Sequence, residues 1–200
     1  MSHPLRGVIF GVTVSAFAAG PALAADSDAE FVKQAASAGM MEVELGRHVS
    51  QHAADPQVRQ FGQQMVTDHG KANQELKEVA QREGLSVPSS MQEEHREKVE
   101  ELTKLRGREL DRAYMEEMVD DHDHDVETFR EQAEEQQSDV DRWAATTVPT
   151  LEAHLARARS IEEDLGEEGP GNVGAGPGER EEGESRDTLD RSRTGGAGQP

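Results

Sequence analysis

The chain has no cysteine, which removes disulfides, thiolate nucleophiles, thiolate metal sites and a lipoprotein anchor together. No Gly-x-Ser-x-Gly elbow is present, and the Gly-rich stretch near the C-terminus lacks the strand and helix context of a phosphate loop. No His has a Glu three residues before it, so the Glu-x-x-His pairs that build carboxylate-bridged di-iron centres in helical bundles are missing. No segment alternates with period two for long enough to make a strand, and the fold class expected is all-α. Basic residues are scarce as well: 21 Lys and Arg stand against 41 Asp and Glu, for a formal charge of −20. Such a chain repels nucleic acid and anionic lipid, so neither is expected as a partner.

The longest apolar stretch, Gly7 to Ala19, follows Arg6 and precedes the small-x-small triplet Ala22-Leu23-Ala24. It falls well short of the about 20 residues that span a bilayer, and its flanks match a secretory signal. Residues 1–25 are therefore expected to be a signal peptide cleaved near Ala24 or Ala25, giving a periplasmic or secreted protein without stable membrane insertion. At the other end, residues 166–200 are rich in Gly and acidic side chains, with apolar bulk only at Val173 and Leu189. That segment buries too little to offset chain entropy and is expected to be a disordered tail. Residues 26–165 remain for one domain.

Within it the apolar residues recur at three- and four-residue steps. A first helix should start at the capping box Ser27-Asp28-Ala29-Glu30 and end near Ala54. Asp55-Pro56 stops it and starts the second, which Gly84 should cap. The two-residue link makes the pair an antiparallel hairpin. A shorter, mostly charged helix from Ser90 to about Leu105 reads as a surface crossover. The third long helix runs from about Arg108 to Gln136, and Ser138 to Asp141 should cap the fourth, which contains Pro149 and ends near Leu165. Four long helices and one connector make a four-helix bundle with a short crossover helix.

The pattern Met65-Val66-Thr67-Asp68-His69 recurs as Met118-Val119-Asp120-Asp121-His122. Each copy sets a His into a core stripe, where a polar group needs a hydrogen-bond partner or a metal. Glu42 and His154 are the other titratable groups on or beside core stripes. Counted from the helix starts, Glu42, His69, His122 and His154 each lie about fifteen residues in, near mid-length, and a mid-height residue stays at mid-height whichever way its helix points. The four should share one layer. One carboxylate and three imidazoles suit one divalent transition metal, Zn, Fe, Mn, Ni or Cu. Met65 and Met118 would favour copper only if their sulfurs joined the set. The alternative is that the rings bond Asp68, Asp121, Glu42, Tyr114 or backbone and hold no metal. In the run Asp120 to Asp125, only His122 and Asp125 are expected to face inward. Tyr114 should bond a neighbouring helix, and Glu44, His48 and His52 form an exposed ladder.

The pieces Glu42-Val43-Glu44-Leu45-Gly46, Met65 to His69, Leu110 to Tyr114, Met118 to His122 and Pro149 to Leu155 resemble, in order and spacing, the bacterial family called domain of unknown function 4142. The resemblance implies a ferritin-like bundle outside the cytoplasm, without an established activity. Two functions are carried forward. One is a non-catalytic or weakly catalytic bundle that binds one metal ion, in metal handling or envelope stress. The other is a metal-free interaction or scaffold module with protein partners unspecified. Buried imidazoles that must charge on acidification add the thought of a pH-responsive fold.

Overall fold

The computed structural model describes residues 21–167, with side chains described from Ser27 onward. Among these residues there are five helices and no strand: α1 Pro21–His52, α2 Pro56–Arg82, α3 Glu93–Leu102, α4 Gly107–Glu135 and α5 Asp139–Glu167. Two hairpins, α1 with α2 and α4 with α5, pack together, and α3 lies on α1 and α4 in the connection between them. The all-α four-helix bundle expected from the sequence is what forms. Most of the signal segment, and the tail from residue 168 onward, lie outside the described residues.

Local chemistry sets several boundaries. Asp55 accepts hydrogen bonds from the backbone N–H groups of Gln57 and Val58, at 2.6 and 3.2 Å, and Pro56 follows it at the first helical position. Gly84, at φ +72°, turns the chain out of α2 so that the Leu85 N–H reaches the Ala80 carbonyl at 2.8 Å. That left-handed turn strongly favours glycine. At α5 the capping box is reciprocal: Asp141 N–H donates to Ser138 Oγ at 3.1 Å, and Ser138 N–H to Asp141 Oδ2 at 2.9 Å.

Three expectations need correction. The Ser27 to Glu30 box does not start α1, which is already helical from Pro21. The Ala-Leu-Ala-Ala run before it favours helix strongly, and Asp28 turns inward, where Gln132 Nε2 donates to it at 2.7 Å and to Asp141 at 2.6 Å. The connector helix is ten residues long, and Ser90 does not cap it. The N–H of its first flanking residue, Gln92, donates instead to Ser37 Oγ on α1 at 2.7 Å. Finally, α5 runs two residues past Leu165, to Glu167.

The core falls into two apolar clusters. One joins Met41, Leu45, Phe61, Met65, Met115 and Met118 with Ala158 and Ile161. The other centres on Phe31, Phe129 and Trp143, with Leu76, Val126 and Leu151. Phe31 and Phe129 meet edge to face at 4.9 Å, an arrangement that adds about 1 kcal/mol to their burial. On every long helix the residues of one cluster give way to those of the other near mid-length. Glu42, His69, His122 and His154 lie at that seam.

Candidate metal centre

Each long helix contributes one group to the seam: Glu42 from α1, His69 from α2, His122 from α4 and His154 from α5. Glu42 and His122 are 0% exposed, His154 1% and His69 6%. The three ring centroids form a near-equilateral triangle with sides of 5.3, 5.4 and 5.5 Å. One ring nitrogen from each lies within 4.8 Å of the others. The heights counted along the sequence thus bring the imidazoles together. Phe61 closes the layer on one side, its ring 6.5 Å from that of His122 and 6.4 Å from that of His154.

Hydrogen bonds fix which nitrogen of two rings carries the lone pair. His122 Nδ1 lies 3.0 Å from the Met118 carbonyl. A carbonyl only accepts, so Nδ1 carries the proton and Nε2 the lone pair. His154 Nε2 donates to Asp68 Oδ2 at 2.9 Å, which leaves Nδ1 with the lone pair. His69 Nδ1 touches the Glu42 carboxylate, whose other oxygen lies 3.4 Å from His122 Nε2. Neither approach has hydrogen-bond geometry, and His69 Nε2, His122 Nε2, His154 Nδ1 and both Glu42 oxygens are buried without a hydrogen-bond partner. Each such atom costs about 1–3 kcal/mol if nothing else binds it.

Burial also settles charge. It pushes His69 down to about 4 and His122 down to about 3, with His154 lowered too, because an imidazolium loses hydration in the core. The rings are therefore neutral at pH 7, the form that coordinates metal. The same desolvation holds Glu42 well above the usual carboxylate range. Asp121 rises to about 7 through burial, then through the Glu42 and Glu117 charges.

Asp121, one of the residues of its run not expected to face inward, does so in the structure. Its Oδ2 is sealed from solvent, and a carboxylate oxygen of Asp121, one of Glu42 and a ring nitrogen of His122 lie within 4.8 Å of one another. Asp68, weighed only as an alternative partner, orients His154. These two aspartates hold equivalent places in the repeated pattern, just before His69 and His122, and that repetition was the signal for them. Tyr114 was expected to bond a neighbouring helix; it is 0% exposed, and its hydroxyl has no partner. Met65 and Met118 are buried in the apolar cluster. His48 Nε2 lies 3.1 Å from the Arg106 guanidinium, and its half-buried ring sits 4.5 Å from that of His52, tilted by 45°.

A family model described as Domain of unknown function (DUF4142) matches residues 12–161. No curated protein matches the chain. Among solved structures, the fold is similar to that of a DUF305 fragment from Deinococcus radiodurans, with 16% identity and a TM-score of 0.58 over 70% of this chain and 96% of that one. It is similar also to a DUF305 protein from Streptomyces coelicolor whose name proposes secretion, with 16% identity and a TM-score of 0.60 over 70% of this chain and 92% of that one. At that identity the likeness is one of fold.

Proposed function

The chain belongs to the family of the domain of unknown function DUF4142, and within it we propose a periplasmic or secreted bundle that holds one divalent transition-metal ion on His69, His122 and His154, with Glu42 beside them. One observation carries this reading. Three buried neutral imidazoles each carry an unpartnered ring nitrogen, one ring nitrogen from each lies within 4.8 Å of the others, and two of the rings are held by an acceptor on the opposite nitrogen. Ligating histidines are held in just this way, by a carboxylate or carbonyl on the far nitrogen. Imidazole with carboxylate suits Zn, Fe, Mn, Ni or Cu, and the role that fits is metal handling or envelope stress.

The extracytoplasmic setting rests on the apolar segment after Arg6 and on the name of the Streptomyces neighbour. Among the described residues no helix is long and apolar enough to cross a membrane. Elemental analysis of the protein purified from its own compartment tests the reading. About one metal per chain, lost in His122→Ala, supports it. A metal-free wild type would favour the scaffold alternative, with the rings serving only to bond Asp68 and Met118.

A further inference from the structure

The buried layer touches solvent-facing chemistry on the side of α3. There a cavity of about 440 Å³ is lined by Asp120, Asp121, His124 and Asp125 of α4, facing Glu94 and His95 of α3. Lys98, the cation in its wall, is already paired with Glu117, so the groove is acidic in balance.

Asp121 belongs to both the groove and the core. It lines the cavity, yet its Oδ2 is buried without a partner and it groups with Glu42 and His122. The Glu42 side chain is 1% exposed, and its two oxygens have no hydrogen bond. Two carboxylates and an imidazole make a set of cation ligands richer in oxygen than the three-His set. His122 is common to both sets. Its Nδ1 is committed to Met118, so it has one lone pair, on Nε2, and one lone pair binds one ion at a time.

We propose that Glu42, Asp121 and His122 form an outer cation position, filled through the acidic groove, from which a divalent metal ion passes to the inner position of His69, His122 and His154. This rests on the reading of the inner position given above. The ion exchanges carboxylate oxygens for imidazole nitrogens while His122 Nε2 stays bound, so the two positions are successive stations for one ion. The groove carboxylates raise the local concentration of cations at the first station, an effect that speeds association tenfold or more.

Stopped-flow mixing of the metal-free full chain with cobalt(II), read by its visible absorption, tests the proposal. Wild type, Asp121→Asn and Asp125→Asn should each end with one cobalt per chain, and Asp121→Asn should load about tenfold more slowly. His154→Ala, which leaves the outer set whole, should keep one cobalt with the weak absorption of oxygen-rich coordination. Unchanged loading by Asp121→Asn overturns the proposal even where the inner position stands, and so do two cobalt ions per wild-type chain or no cobalt in a folded His154→Ala. A wild type that takes up no cobalt overturns the inner position together with the outer.

Discussion

Removing the carboxylate behind His154 separates a metal centre from a set of buried rings that merely satisfy one another. In Asp68→Ala the His154 ring loses its 2.9 Å anchor and can turn, or shift its proton to Nδ1, the buried nitrogen that otherwise holds the lone pair. Loss of such an orienting partner lowers metal affinity about 10- to 100-fold. With free metal at a hundred times the wild-type dissociation constant, binding stabilises wild type by about 2.7 kcal/mol. At the same concentration the variant should gain only about 1.4 kcal/mol for a tenfold loss, or about 0.4 kcal/mol for a hundredfold loss. At about 2–4 °C per kcal/mol for a chain of this size, a wild-type rise in melting temperature of about 5–11 °C falls to about 1–6 °C. The assay is thermal unfolding of chelator-treated protein with and without zinc, comparing each protein's own zinc-induced shift. Asp68 has a side chain 35% exposed, so the metal-free proteins should melt within a few degrees of each other. A zinc-induced shift as large in the variant as in wild type would refute the orienting role.

Other consequences follow from packing and charge. A Cβ on Gly46 would lie 2.6 Å from the Gly62 backbone carbonyl, so Gly46→Ala must spread α1 from α2 and should cost about 1–3 kcal/mol in urea unfolding; unchanged stability would contradict that contact. Asp111 accepts from the Ala54 and Asp55 N–H groups at 2.9 and 3.0 Å, and Asp111→Ala should lose about 2–4 kcal/mol by the same assay while zinc still binds. For the metal-free protein the pH terms oppose one another. Stability from His69 and His122 is present above their unfolded value near 6.5 and is lost as pH falls toward their folded values of about 4 and about 3. Stability associated with Asp121, raised to about 7, and with Glu42 and Asp125, both raised, is present below the unfolded carboxylate range and is lost as pH rises from about 4. With His154 lowered as well, three imidazoles oppose these three carboxylates between about pH 4.5 and 6.5, so urea midpoints should be almost flat there; a steep fall on acidification would show that the imidazoles dominate, as a simple acid switch requires.

Helix number, order and the meeting of the three rings were legible because the rise per residue is constant: heights counted along separate helices can be compared before any packing is known. Asp55-Pro56, Gly84 and Ser138 to Asp141 were equally readable, since each acts within a few residues of itself. Asp28 misled because its local pattern matches a cap, whereas its partner Gln132, whose amide it shares with Asp141, lies far along the chain. Asp121 sits on the flank of α4, and α3 lies on α1 and α4 where that flank faces the groove; the placing of a ten-residue helix with no side-chain cap is not written in its own sequence. The rotation of α4 that buries the Tyr114 hydroxyl is likewise a property of the assembled core.

X-ray absorption at the zinc edge of the zinc-loaded full chain bears most directly on the central claim, that imidazoles from α2, α4 and α5 hold one ion. It should show nitrogen neighbours at about 2.0–2.1 Å, with the outer-shell scattering of three imidazole rings. A spectrum with oxygen neighbours alone, or without the outer-shell scattering of imidazole rings, would contradict it.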